Sequence, residues 1–285
     1  MEILKTYKIY IGGAFPRTES GRYYPIHNHK GEVLANLCLS SRKDVRNAVV
    51  AARKAQGSWA EKTANNRGQI LYRMAEMLDG RKAQFTEELI KQGANKSNAE
   101  KEVQAATDCL IYYAGWADKY QQIASSVNPV SSSHFNFSAL EPMGVIGVVA
   151  PQSSSLLGLV TMTIPAICGG NTVVVAASEQ LPLCSITFAE VVHSSDVPGG
   201  VVNILTGKTS ELAPALAAHM DVNALIAEPL GELQKPIALS CVENLKRHYT
   251  YQKPIDQGLQ FITDLQEVKT TWHPIEQIGG ATSSY

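Results

Sequence analysis

From Pro142 to Ser178 the chain carries no charged side chain. A stretch of that length and polarity either crosses a bilayer or forms the buried centre of a globular sheet. Its interior decides between the two. The turn-rich "APQSSS" at 150–155, Pro165, and "CGGN" at 168–171 cut it into pieces too short to span a membrane. What remains is "GVIGVV", "LLGLVTMTIPAI" and "NTVVVAAS", which read as a strand, a helix and a strand, apolar all round.

The alternation continues. "LPLCSITFAEVVHSS" reads as a helix, "GVVNILTG" as a strand, "SELAPALAAHM" as a helix and "VNALIAE" as a strand. Near-continuous Val/Ile/Leu runs separated by helices predict a parallel sheet covered on both faces, and short glycine-containing turns fit a doubly wound, dinucleotide-binding type of α/β fold.

The part before this run is organised differently. "YKIYIGGAF" and "YYPIHNHKGEVLANLCLS" predict short strands. Val45, Ala48, Val49 and Ala52 form a helical stripe, as do Ile70, Leu71, Met74, Met77 and Leu78, the latter in a segment long enough for one helix or two. A long third helix is expected to turn Val103, Leu110, Ile111 and Ala114 inward. The alternation His134-Phe135-Asn136-Phe137 then predicts an extended arm or hairpin.

The 285 residues, 45% of them hydrophobic, suffice for a substantial core. With 25 basic and 26 acidic side chains there is no electrostatic case for nucleic acid or an anionic membrane as partner. Five cysteines (Cys38, Cys109, Cys168, Cys184, Cys241) form no C-x-x-C pair and suit a reducing compartment as buried apolar residues. Lys5 and Lys8 interrupt the N-terminal segment, which does not read as a signal peptide. A cytoplasmic protein is expected.

Several motifs fail on inspection. "TGKTS" at 206–210 resembles the end of a phosphate-binding loop, but the glycine needed five residues before Gly207 is Val202. His27-x-His29 lacks a third ligand at a convincing spacing, so no metal site is expected. Cys241 has no base placed beside it and reads as a structural thiol. No G-x-G-x-x-G follows any predicted strand.

The runs "EPMGVIGVVAP", "GGNTVVVAASEQLPLCSITFAEVV", "VPGGVVNILTG" and "LAAHMDV", in that order, resemble the coenzyme domain of the aldehyde dehydrogenase superfamily. "YIGGAF", "GEVLANL", "DVRNAVVAARKA" and the helix led by Arg67 extend the resemblance over about residues 1–247. It implies a Rossmann-like coenzyme-type domain over residues 1–240 with a protruding oligomerisation arm at about 123–142. It further implies that residues 241–285 replace a missing catalytic domain.

The same resemblance assigns positions. The family's oxyanion-binding Asn falls at Ser153, too short to project an amide to the same point; one such donor is worth about 10²–10³ in rate. The ribose-holding Lys falls at Ala176 and its following Pro at Ala177, while the Glu is kept at Glu179. Gly207 is kept, but a second glycine of the phosphate approach is Ala213. A Phe-Thr-Gly-Ser turn aligns with Ala227-Glu228-Pro229-Leu230, where Pro229 removes a donor and Glu228 adds a charge that repels phosphate. The general-base Glu falls at Tyr251, a phenol with an ordinary pKa of about 10, and a Gly-Gly pair at Lys253-Pro254. The nucleophilic Cys belongs further on, and no Cys follows Cys241.

The resemblance therefore implies an architecture without its chemistry, like the truncated second copy of two-copy aldehyde dehydrogenases. Three readings stand at this point. The chain is a non-catalytic structural or regulatory subunit, an NAD(P)-dependent aldehyde oxidoreductase, or a nucleotide-sensing module using Glu179 and Gly207. No cofactor is expected beyond weak NAD(P). A homo-oligomer, or a hetero-oligomer with a catalytic aldehyde dehydrogenase, is expected through the arm carrying Phe135 and Phe137, whose open backbone groups would seek a partner strand.

Overall fold

The structure, a computed structural model, describes residues 6–28, 30–252 and 257–275. Three short strands, β1 (Thr6–Tyr7), β2 (Tyr23–His27) and β3 (Val33–Cys38), form a sheet of order β1-β3-β2. Helices α1 (Arg42–Ala60), α2 (Ala64–Asp79), α3 (Lys82–Lys91), α4 (Lys96–Trp116) and α5 (Tyr120–Ala124) follow. The hairpin β4 (Ser126–Asn128) and β5 (His134–Pro142) leads into β6 (Val145–Val149), α6 (Leu157–Cys168), β7 (Thr172–Ala176), α7 (Leu183–His193), β8 (Val202–Leu205), α8 (Thr209–Ala218) and β9 (Ala224–Ala227). The described chain closes with α9 (Gln234–Glu243), β10 (Arg247–Thr250), α10 (Gln260–Thr263) and β11 (Gln266–Pro274).

The alternating apolar runs form a five-stranded parallel sheet of order β10-β9-β6-β7-β8. Its strands alternate faces residue by residue. Ile146, Val148, Val173, Val175 and Ile226 join one apolar cluster with α2, α4, α6 and α7. Val145, Val149, Val174, Leu225 and Ala227 join a second with α1, α8 and α9. Burial on both faces is why these strands read as unbroken Val/Ile/Leu runs. Each fully buried Val, Leu or Ile contributes about 1.5–3 kcal/mol relative to exposure.

The charge-free run folds as expected, and α6 continues through Pro165 to Cys168. Among the described residues no helix is long and apolar enough to cross a membrane. The C-terminal end of α6 is held by two side chains: Trp59 Nε1 donates to Ile167 O at 3.0 Å, and buried Arg67 Nε donates to Cys168 O at 3.0 Å. Carbonyls of a last helical turn lack the usual i+4 donor, and Ile167 O accepts from Gly170 N as well. The second predicted helical segment is two helices, α2 and α3. All five cysteines are free and buried.

Three expectations need correction or refinement. Ile111 points outward at 44% exposure, while Leu110 and Ala114 on the inner face of α4 are buried. The arm strand β5 is the middle strand of its sheet: β11 pairs with it over all nine residues from His134 to Pro142, and β4 pairs with it on the other side along 136–138. The division at residue 240 falls inside α9, and β10 beyond it is the last strand of the parallel sheet. Helix α10 packs on α6. Phe261, Ile262 and Leu265 are buried there, and Asn171 Nδ2 donates to Leu265 O at 2.9 Å.

Candidate functional site

All five parallel strands point the same way, so the residues that follow them collect along one rim. Ala150 N donates to Ala176 O, Ala177 N to Leu205 O, and Tyr251 N to Ala227 O, which aligns the strand ends. From β6 the chain winds outward through β7 to β8, then returns to the other side of β6 for β9 and β10. The reversal sets a topological switch point beyond the C-terminal ends of β6 and β9, the place where open α/β sheets bind ligands in a crevice.

The crevice is closed by the chain's own polar groups. Gln152 N, in the turn after β6, donates to Glu228 Oε1 at 2.7 Å. The Gln152 side chain is fixed by its Nε2 donating to Ala150 O at 3.0 Å, and its Oε1 accepts from Glu179 N at 2.9 Å. Glu179 Oε2 in turn accepts from Thr209 N at 2.8 Å and so caps the first turn of α8. Turn amides and helix N-termini of this kind are what anionic groups bind. Here two of them are given to internal carboxylates.

A third carboxylate serves α6. Glu102 Oε1, reaching across from α4, accepts from Ser154 Oγ at 2.9 Å, Leu156 N at 3.0 Å and Leu157 N at 3.1 Å. Ser154 Oγ also accepts from Gly158 N at 2.8 Å. A carboxylate at a helix N-terminus satisfies orphan donors and opposes the helix dipole. Gly158 itself lies against Pro151, whose Cγ would stand 2.8 Å from an added Cβ, so the turn and the helix meet too closely for any side chain.

The expected positions separate on this map. Ser153 is exposed beside Gln152. Glu179 lies in the crevice network, but its carboxylate is engaged by α8. Ala176 and Ala177 are buried in the two apolar clusters. Ala213 is fully buried one turn inside α8, and its methyl group packs in the core. Gly207 has a packing reason of its own: an added Cβ would lie 3.2 Å from Ser40 N and 3.4 Å from Ser40 O. Thr206 of the same "TGKTS" donates its hydroxyl to Cys38 O at 2.6 Å, which makes the motif a seam between β8 and β3.

Tyr251 follows β10 and turns away from the crevice. Its hydroxyl donates to Asp264 Oδ2 at 3.1 Å, and its ring packs edge-on to Phe261 at 4.7 Å. Burial, then the Asp264 carboxylate, hold this phenol above its ordinary value. Cys241 is buried, and burial raises its thiol against the pull of Lys246. His27 is exposed at the end of β2, whereas His29, Lys253 and Pro254 lie outside the described residues. Among the described residues no group of three His, Cys, Asp or Glu is placed to hold a metal ion.

Sequence reasoning did not find Gln152, Thr209 or Glu102. Glu179 lies in the turn after β7 and Thr209 begins the helix that follows the neighbouring strand β8, so strand order could have paired them. Nothing local to Glu102, in mid-helix, points to a partner more than fifty residues on.

The doubly wound parallel sheet is of the Rossmann-like, dinucleotide-binding class of fold. The sequence profile of the aldehyde dehydrogenase family matches residues 15–249. The chain is 33% identical over 248 residues to cytosolic 10-formyltetrahydrofolate dehydrogenase of Mus musculus, covering 85% of this chain and 28% of that protein. It is 34% identical over 251 residues to retinal dehydrogenase 2 of Gallus gallus, covering 86% and 48%. An aldehyde dehydrogenase of Bacillus cereus solved as an NAD+ complex superposes with a TM-score of 0.82 at 27% identity, covering 86% of this chain and 50% of that one. The chain belongs to the aldehyde dehydrogenase family. It spans about half the length, or less, of the relatives it matches.

Proposed function

We propose that this chain is a non-catalytic member of the family, a structural or regulatory subunit that assembles with a catalytic aldehyde dehydrogenase. The observation that carries the reading is the Gln152 amide donated to Glu228 at 2.7 Å. A dinucleotide phosphate entering the crevice would displace that carboxylate and meet its charge. Glu179, the one acidic ribose position retained, is likewise committed to Thr209 N. The residues present do not fit the cofactor, and no step is routed through it. Tyr251, at the general-base position, is a half-buried phenol already donating to Asp264, and Ser153 carries no side-chain amide.

The test is direct. The purified chain is expected to produce no NAD(P)H from short aldehydes, to give no binding heat with NAD+ at high micromolar concentration, and to co-purify with a full-length aldehyde dehydrogenase when the two are co-expressed. Aldehyde oxidation by the chain would overturn the reading. A second reading, an NAD(P)-dependent aldehyde oxidoreductase, draws on one observation: the likeness of this sheet to a relative solved with NAD+. The binding titration separates the two.

A further inference from the structure

Helix α1 opens on Arg42, Lys43 and Arg46, all three exposed. Cations at a helix N-terminus oppose its dipole, and Arg42 and Arg46, four residues apart, repel each other on one face. The acid of that turn does not relieve them. Asp44 is buried, its Oδ2 accepting from Ser41 N at 2.8 Å and its Oδ1 from Glu19 N at 3.0 Å. Lys43 has a partner in Glu19 at 2.7 Å. Arg42 and Arg46 make no hydrogen bond or ion pair among the described residues. By contrast, Arg73, Arg81 and Arg247 each meet a glutamate, and Arg53 and Arg67 donate to backbone carbonyls. A helix start that breaks the local charge rules with no compensation inside the chain points to a group from outside it.

These side chains border a hollow. Where the start of α1 meets the end of α8, a cavity of about 290 Å³ is lined by Arg42, Lys43, Arg46 and His219, and its other walls are valine and alanine. Among the described residues no acidic side chain lines it. We infer that this hollow binds a small, multiply charged anion of the phosphate class, with Arg42 and Arg46 as its clamp and His219 as a further donor. Guanidinium forks match phosphate oxygens in geometry as well as in charge. His219 Nδ1 accepts from Asp221 N at 3.2 Å, which leaves the ring proton on Nε2, a donor with no partner among the described residues.

The end of a helix ordinarily repels an anion, because its last carbonyls are open. At the end of α8 they are taken. Lys246 Nζ donates to His219 O at 2.7 Å and to Leu216 O at 3.4 Å, and Asn244 Nδ2 donates to Ala217 O at 3.2 Å. Lys246 is buried, and burial lowers its ammonium to about 8, so at pH 7 it is mostly charged and adds a positive charge behind the hollow. The hollow lies at the opposite end of α8 from Thr209, whose amide is taken by Glu179. At 1.5 Å per residue the two ends are about 15 Å apart.

The inference goes beyond the subunit reading and fails separately from it, since none of its residues belongs to the crevice. Calorimetry of the full chain against inorganic pyrophosphate at low salt is expected to show saturable binding. Arg42→Gln with Arg46→Gln keeps good helix formers at both positions and is expected to weaken that binding roughly 10-fold or more. Without ligand the same variant is expected to melt no lower than wild type, because it relieves the start of α1; damage to the fold would lower both. His219→Ala, which removes a neutral donor, is expected to weaken binding by about 2- to 10-fold. Lys101→Gln with Lys235→Gln removes the same net charge from exposed positions on α4 and α9 and is expected to leave binding unchanged. ADP, which carries a diphosphate on a nucleoside, separates two sources of the anion: binding no tighter than pyrophosphate assigns the free anion, and tighter binding lost in the Arg42, Arg46 variant assigns a phosphate ester. Absence of binding at millimolar pyrophosphate overturns the inference. So does binding that the double arginine change leaves intact, or that the Lys101, Lys235 control loses equally. Each of these results leaves the reading of the crevice and of subunit assembly as it stands.

Discussion

In β6, β7, β8 and β9 every residue is buried, whereas in β11 only Gln266 is. The parallel sheet is held by apolar contacts on both faces, with helices covering each. The arm sheet is held by backbone pairing and a row of hydroxyl and amide side chains, and most of its surface meets solvent. The difference separates residues that specify the fold from residues free to specify partners.

The largest expected effect tests that division. Trp59→Ala removes a fully buried ring and its hydrogen bond to Ile167 O, and Phe188→Ala empties a site on α7. Each is expected to cost about 3–5 kcal/mol in urea unfolding. Trp272→Ala, in the arm, is expected to stay within about 0.5 kcal/mol. Comparable losses at Trp272 and Trp59 would break the comparison.

The rim where the parallel sheet ends is expected to respond in binding more than in stability. Glu228→Ala frees the Gln152 amide and removes a charge from the crevice. A charge-assisted hydrogen bond of about 1.5–3 kcal/mol corresponds to roughly a 10- to 100-fold gain in affinity for NAD+ or another phosphate-bearing ligand. Calorimetry of the variant against wild type reads this directly. An unchanged titration would show that Glu228 is not what closes the crevice.

Glu102→Ala isolates the remaining carboxylate. It strips the cap from α6 without touching the Gln152–Glu228 contact. A loss of about 1–2 kcal/mol is expected, with no gain in nucleotide affinity. A gain in affinity would mean that the N-terminus of α6, not the Gln152 turn, is the anion position.

These contrasts also explain what could be read in the sequence. The parallel sheet was legible because burial on both faces leaves Val173, Val174 and Val175 as a plain apolar run. The arm was legible as extended from Phe135 and Phe137, but its pairing was not. β11 begins more than a hundred residues later, and "EVKTTWHP" has no hydrophobic period to place it. At the rim, the losses at Ser153 and Tyr251 could be located through the resemblance. The occupation of the crevice by Glu228 could not, because a contact between two turns depends on strand order. Ile111 failed for a simpler reason: it adjoins Leu110 on a long helix whose apolar residues also occupy solvent-facing positions.

The smallest expected effect lies where rim and arm meet. Asp264 stands between α10 and β11 and accepts the Tyr251 hydroxyl at 3.1 Å. Burial raises its carboxyl above the usual aspartate range, and the Tyr251 hydrogen bond partly opposes this. A carboxyl that holds its proton more tightly folded than unfolded costs stability as pH rises from its ordinary value of 3.8 through its raised one. The cost is then constant up to neutrality. Asp264→Asn keeps an oxygen for Tyr251 and removes the charge. The variant is therefore expected to melt slightly above wild type at pH 7, with the difference shrinking as pH falls toward the acid limit of folding. Thermal melts of the two chains across that range check the sign. A variant less stable at pH 7 would mean that the ionised carboxylate is a favourable partner for Tyr251, and that the junction is held by charge rather than by packing.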